Sequence, residues 1–226
     1  GAAGTTFTIG AGVTWTKGTG KIEFTGGGSG TININTNNIA TEKMKSTISF
    51  SRSITFLSNL TCDGWESSTY VFNGGYVLTT TKDFLLTNES GGFVSNGSGE
   101  IVMTGSGNHN FQFNGYLAGN KPEMNTLRIQ KTGGGKVTMI SSCLFRNLNL
   151  DSGDFDAGGF NIGWTNAGGA GGTTVTILTS GTITGGTGTW SAFDFTVSNA
   201  TVNNSSTTYN IGRTFTINAS ATWNRG

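Results

Sequence analysis

Along most of this chain the apolar side chains come in pairs, separated by one polar residue and bounded by Gly or Asn. Phe7/Ile9, Ile22/Phe24, Ile32/Ile34, Ile48/Phe50, Ile54/Phe56, Ile101/Met103 and Phe111/Phe113 are such pairs in the first half. Leu127/Ile129, Val137/Met139, Leu148/Leu150, Val175/Ile177, Phe193/Phe195/Val197 and Phe215/Ile217 continue the pattern, and Val71/Phe72 and Val77 mark two further segments. Successive side chains of a strand point to opposite faces, so this spacing predicts short β-strands buried on one side. Each segment runs for about three to five residues, which suits one face of a small coil better than a broad open sheet.

The chain also repeats itself. Thr6-Phe7-Thr8-Ile9-Gly10-Ala11-Gly12-Val13-Thr14-Trp15-Thr16-Lys17-Gly18 is matched without a gap by Thr214-Phe215-Thr216-Ile217-Asn218-Ala219-Ser220-Ala221-Thr222-Trp223-Asn224-Arg225-Gly226. A weaker copy starts at Phe84-Leu85-Leu86, and Gly97-Ser98-Gly99-Glu100-Ile101-Val102-Met103 answers Gly18-Thr19-Gly20-Lys21-Ile22-Glu23-Phe24. Asn73-Gly74-Gly75-Tyr76 and Ala157-Gly158-Gly159-Phe160 then read as a shared turn. Repetition of a unit made of several short strands is the mark of a solenoid.

The expected fold is therefore all-β, a parallel β-solenoid (β-helix) of short strands with Gly and Asn at the corners. Inward apolar residues would stack coil on coil at about 4.8 Å, with Thr, Ser and Asn outward. The alternative is an antiparallel β-sandwich or jelly roll, which also uses many short strands but has no reason to reuse the same phrases. The repeats place the whole of residues 1–226 in one repetitive domain, with units near 5–83 and 84–212 and the start of a further unit at 213–226. A last coil that begins a new unit would leave an open sheet edge, the kind of edge that drives association unless it is covered.

Composition strengthens the β reading and narrows the function. The chain holds 38 Gly and one Pro in 226 residues, with Thr, Ser and Asn throughout, so no long window favours a helix. Fifteen Phe, five Trp and four Tyr provide apolar area that a disordered Gly/Ser-rich chain lacks. With 13 basic and 12 acidic residues there is no basic field to attract nucleic acid. No apolar run has the length of a membrane span. The opening Gly1-Ala2-Ala3-Gly4 has no initiator Met and reads as processed or excised. Low charge with abundant Thr, Ser, Asn and Gly points to an extracellular, cell-surface or virion-surface setting. Asn-x-Ser/Thr sequons at Asn59, Asn88, Asn96, Asn199, Asn203, Asn204 and Asn218 are no more than this composition produces by chance.

Candidate chemistry is sparse. Cys62 and Cys143 are expected to be buried free thiols, too many coils apart for a disulfide. His109, the single histidine, lies in the turn-like Gly105-Ser106-Gly107-Asn108-His109-Asn110; with no second His and no Cys nearby in sequence, a triad or a zinc site there would need all its help from distant residues. Asp151, Asp154 and Asp156 form the one carboxylate cluster, with Asp154 and Asp156 on one face; a glycosidase pair or a Ca²⁺ site is weighed there against surface variation, which is favoured. Gly26–Gly30 and Gly168–Gly172 lack the following Lys-Ser/Thr of a phosphate cradle. Trp15 and Trp223 occupy the repeated position and are expected to pack in a stack. Trp65, Trp164 and Trp190 are the candidates for a sugar-stacking face, with burial the leading expectation for each. No catalytic, cofactor or metal residue is assigned, and no cofactor is expected.

The phrase at residues 6–22, the stretch Asn125-Thr126-Leu127-Arg128-Ile129-Gln130-Lys131-Thr132-Gly133-Gly134 and the later Leu148-Asn149-Leu150-Asp151-Ser152-Gly153 resemble repeats of large secreted microbial β-helix proteins of adhesin, surface-fibre or phage-fibre type. The resemblance implies an extracellular fibre and carries over no catalytic motif. The function expected is thus a structural or adhesive fibre or filament segment that is not an enzyme. It would self-associate through its end coils or belong to a longer solenoid, with surface glycans as possible partners and neither nucleic acid nor a membrane span. The alternative is a carbohydrate-binding or carbohydrate-degrading β-helix, of tailspike, lyase or glycosidase type.

Overall fold

The computed structural model describes residues 4–27, 30–48, 52–68, 70–72, 74–87, 93–94, 99–113, 124–163, 172–204 and 206–225. They contain no helix, and the strands pair in parallel throughout as a β-solenoid; the antiparallel alternative does not apply. The chain falls into two compact units, Gly1–Val102 with Phe113–Asn125, and Met103–Gln112 with Thr126–Gly226.

The first unit winds through β1 (Thr5–Thr8), β2 (Lys21–Phe24), β3 (Gly30–Asn35), β4 (Ala40–Thr41), β5 (Lys43–Ser46), β6 (Arg52–Phe56), β7 (Leu60–Cys62), β8 (Trp65–Ser67), β9 (Tyr70–Phe72), β10 (Val77–Thr80), β11 (Phe84–Leu86) and β12 (Phe93–Val94). Three parallel stacks result: β1-β3-β6-β9-β12, β2-β5-β8-β11 and β4-β7-β10. β13 (Glu100–Met103), β14 (His109–Phe113) and β15 (Met124–Gln130) carry residues of both units. The second unit continues with β16 (Lys136–Met139), β17 (Phe145–Ser152), β18 (Asp154–Asp156), β19 (Thr174–Ile177), β20 (Thr182–Thr184), β21 (Thr189–Val197), β22 (Thr201–Asn204), β23 (Thr208–Ile217) and β24 (Thr222–Arg225). Its strands form two stacks, β16-β18-β20-β22-β24 and β17-β19-β21-β23.

Parallel pairing puts inward side chains directly over one another, and the columns are the core. In the first unit Ile22, Met44, Trp65 and Phe84 form one column, and Phe7, Ile34 and Phe56 another. In the second, Val137, Phe155, Ile183, Val202 and Trp223 stack in register, as do Leu148, Val175, Phe195 and Phe215. Outward positions pair as the sequence predicts: Thr31 Oγ1 lies 3.2 Å from Ser53 Oγ, and Asn224 donates to Asn203 at 2.8 Å. Two of the apolar segments turn differently from expectation. Leu78 rather than Val77 is buried, and Phe193 lies on the register irregularity of β21, its ring under the Arg213 guanidinium instead of in the core.

The corners use left-handed backbone, as expected. Gly158 and Gly159 have φ of 61° and 80° and close a turn in which Phe160 N–H donates to the Ala157 carbonyl at 3.0 Å. Asn37 and Asn38, the only non-glycine residues with positive φ among those described, close a turn with the same bonding pattern between β3 and β4, where Ile39 N–H donates to Thr36 O at 2.9 Å. Asn tolerates this region better than other side chains because it bonds its own backbone locally.

The spacing of the stack is not that of the sequence repeat. Ser53 stacks with Tyr70, 17 residues on, and His109 with Val137, 28 residues on. Phe7 and Phe84, matched in sequence, lie in different stacks of the first unit, β1 beside β3 and β11 beside β8. The two Thr-Phe-Thr-Ile copies nevertheless share a local conformation. Val13 N–H donates to Gly10 O at 3.3 Å, and at the matching place Ala221 N–H donates to Asn218 O at 3.0 Å. The copies then diverge, since Thr222–Arg225 is β24 whereas residues 14–17 belong to no strand.

Candidate functional site

The chemistry-bearing residues read from the sequence are each held by the scaffold. Asp154 and Asp156 flank the buried Phe155 on β18 and share a face. Asp154 Oδ1 accepts from Thr182 N–H at 2.6 Å, and Asp156 Oδ1 accepts from Gly158 N–H at 2.9 Å, so both brace the coil. Asp151 binds Arg128 at 2.7 Å and Gln130 at 3.1 Å. His109 is the first residue of β14 rather than part of the turn, with its imidazole folded back over Gly107. Most of Gly168–Gly172, and part of Gly26–Gly30, lie outside the described residues. Among the described residues no three His, Cys, Asp or Glu side chains are grouped to hold a metal ion.

Both thiols are free and buried. Cys62 sits in register between Thr41 and Thr80, and Cys143 in register with Ile162. Burial pushes the Cys62 thiol up to about 12 and that of Cys143 well above its usual range. Since only the thiolate reacts, neither cysteine is expected to react with Ellman's reagent at pH 8 in the native protein, and both in 6 M guanidinium chloride. Stoichiometric labelling of the native protein would contradict this packing.

Trp65 and Trp190, weighed as candidates for a sugar-stacking face with burial the leading expectation, are buried at 1% exposure, while Trp164 lies outside the described residues. Trp65 meets Phe56 edge-on at 5.4 Å, and Trp190 meets Phe155 edge-on at 5.8 Å. Trp15, expected in a stack, is 36% exposed, and its indole N–H donates to Glu42 Oε2 at 2.7 Å. Trp223 does pack as expected, half-buried against Tyr209 and Phe215. Place in the stack decides these fates: Trp65 and Trp190 lie in register between neighbours on both sides, Trp223 has a paired neighbour on one side only, and residues 14–17 around Trp15 belong to no strand.

That segment carries Lys17, one of several ion-paired side chains of the first unit. Lys17 Nζ meets Asp63 Oδ1 at 2.7 Å, and Lys43 and Lys45 both bind Glu66, at 2.6 and 2.5 Å. Lys43 and Lys45 of β5 meet Glu66 of β8 on the next coil, and Lys17, before β2, meets Asp63, before β8, two coils on, so each ion pair ties one coil to another. Burial pushes the Glu66 carboxyl up, but the hydrogen bonds from Lys43 and Lys45 outweigh it and hold the group below its usual range. Lys45 is raised by the bond that it donates to Glu66. Against this surface opens a groove of about 330 Å³, lined by Gly18, Thr19, Gly20, Lys43, Asp63, Gly64, Lys82 and Asp83.

A second feature is the outermost coil of each unit. In the second unit Phe215 and Ile217 are 44% and 39% exposed, although they occupy the same inward columns as the fully buried Phe195 and Val197. Tyr209, Phe215 and Trp223 form one aromatic cluster there, with centroids 5.2–6.4 Å apart. In the first unit Phe7, Ile22 and Phe24 are half-buried over the buried Ile34, Met44 and Ser46, beside an open cavity of about 420 Å³.

No protein-family model matches the chain, and neither curated proteins nor solved structures include one similar to it by these comparisons.

Proposed function

We propose that the protein is an extracellular structural or adhesive fibre segment, its outermost coils covered by further β-coils of a second copy or of a longer solenoid. The observation that carries this reading is the exposure of Phe215 and Ile217 in columns whose other members are buried. Burying what remains exposed of these side chains is favourable by roughly 1 kcal/mol each, and the outer strands β23 and β24 also offer main-chain groups to a further parallel strand. A coil added here continues a stack that already exists, so association needs no rearrangement. Cell-surface or virion-surface placement follows from the composition and from the resemblance to secreted β-helix repeats.

Sedimentation velocity over a concentration series, with negative-stain imaging, tests the proposal. The expected result is concentration-dependent, end-to-end association of the wild type, reduced at least tenfold in apparent affinity by Phe215→Asp with Ile217→Asp. A wild type that stays monomeric up to high micromolar concentration, or association unaffected by the two substitutions, would overturn it.

A further inference from the structure

We infer that the groove beside Trp15 in the first unit is a binding site for a neutral oligosaccharide. One wall of the groove, Gly18, Thr19 and Gly20, belongs to the outermost coil of the first unit between β1 and β2, but sugar binding and self-association are read by different measurements, so failure of one is distinguishable from failure of the other.

Three features of the groove converge on that ligand. The first is an aromatic platform. Trp15 is more than a third exposed, yet its ring is fixed by the indole N–H bond to Glu42. Exposing a large apolar ring while bonding its polar edge leaves a flat surface of the kind that stacks on the C–H face of a pyranose ring. Trp15 stands next to the groove without being one of its lining residues: it bonds Glu42, which precedes the lining residue Lys43, and Gly18, Thr19 and Gly20 follow Trp15 by three to five residues.

The second feature is the lining. Lys43 and Lys82 bring donors, Asp63 and Asp83 bring acceptors, and Thr19 brings a hydroxyl that is both. Vicinal sugar hydroxyls present donor and acceptor together and suit such a mixed rim. Gly18, Gly20 and Gly64 keep the wall low and expose main-chain amides and carbonyls. Asp63 is already oriented by Lys17 at 2.7 Å, Lys82 at 4.0 Å and the Thr81 hydroxyl at 3.4 Å, so little side-chain freedom remains to be lost on binding.

The third feature is charge, which selects among sugars. Two ammonium groups and two carboxylates line the groove, leaving no net charge to favour a uronate or a sulfated chain. The volume of about 330 Å³ is at the small end of ligand sites, enough for one or two sugar rings with the rest of a chain lying in solvent.

The test uses the full chain and four neutral probes, cellohexaose, hexa-N-acetylchitohexaose, mannohexaose and laminarihexaose, with hexagalacturonate as the anionic comparison. Isothermal titration calorimetry is run on the wild type, Trp15→Ala, Trp15→Phe and Lys82→Ala, each with its thermal unfolding midpoint. At least one neutral probe is expected to bind, with affinity reduced tenfold or more by Trp15→Ala and threefold or more by Lys82→Ala. Trp15→Phe keeps a stacking ring and is expected to stay within about threefold of wild type. Absence of binding by all four neutral probes overturns the inference. So does stronger binding of hexagalacturonate, or a neutral-probe affinity indifferent to Trp15→Ala and Lys82→Ala. If Trp15→Ala does not fold, Lys82→Ala and the choice between neutral and anionic probes still decide it.

Discussion

Trp190→Ala is expected to lower the free energy of unfolding of the second unit by about 3–5 kcal/mol, the usual range for truncating a buried aromatic side chain. Trp190 is 1% exposed and is ringed by Phe155, Phe195 and Tyr209 at 5.8, 5.8 and 6.0 Å. It is also in register with Ile162 on one side and Tyr209 on the other, so its loss opens a void between two coils. Trp190→Phe is expected to cost much less than the alanine variant. The indole Nε1 is buried without a hydrogen-bond partner in the structure. A buried donor left unsatisfied costs about 1–3 kcal/mol, so removing it offsets part of the lost packing. Urea unfolding followed by circular dichroism gives both values. Because a solenoid is stabilised mainly between neighbouring coils, hydrogen exchange in Trp190→Ala should accelerate first in β18, β19, β21 and β23. A Phe variant as unstable as the Ala variant would show that the indole N–H is satisfied after all.

The fold was legible where two apolar residues flank a single polar one, because that spacing fixes both strand and inward face. Ile54/Phe56, Val137/Met139 and Val175/Ile177 are all buried pairs on paired strands. Strands with a single central apolar side chain gave no such signal. β20 offers only Ile183 and β22 only Val202, and both are recognised as strands only by stacking with their neighbours. β8 is similar, its Trp65 buried between Met44 and Phe84 as the one large apolar side chain of the strand. The long repeat misdirected the register for a related reason. Thr-Phe-Thr-Ile specifies an alternating strand followed by a tight turn, and any side of the coil accepts that, so the phrase forms β1 in one stack and part of β23 in another.

The candidate groove was legible only in part. Gly18-Thr19-Gly20 announces a loop, but nothing local links it to Asp63, Gly64, Lys82 and Asp83, which reach the same place because the coils stack. Trp15 carried a misleading signal. Its match to Trp223 implied a shared role, yet only Trp223 is followed into a paired strand. Charge separation along the sequence also hid the ion pairs, since Lys43 and Glu66 are 23 residues apart and meet on adjacent coils. In a solenoid, surface chemistry is written across coils while core chemistry is written along each strand. The second is readable from one strand; the first needs the register.

The corner glycines put that register to its sharpest test. Gly158→Ala is expected to destabilise the second unit by about 2–5 kcal/mol, the sum of about 1–2 kcal/mol for an L side chain in left-handed backbone and about 1–3 kcal/mol for overpacking. Gly158 has φ of 61°, and a Cβ there would run into the Met139 carbonyl oxygen of the adjacent coil and approach the Phe160 ring. The backbone cannot simply move away, because Gly158 N–H is bonded to Asp156 and the turn is closed by Phe160 N–H on Ala157 O. Gly12→Ala separates the two contributions. Gly12 has φ of 79°, but an added Cβ meets nothing within 4 Å, so only the conformational cost applies. Part of that cost is cancelled by the reduced freedom of the unfolded chain, leaving about 1 kcal/mol or less. Urea midpoints of the two variants measure the difference directly. Equal effects would mean that the turn at Gly158 does not lie against the Met139 coil, and the register assigned to β16 and β18 would have to be given up.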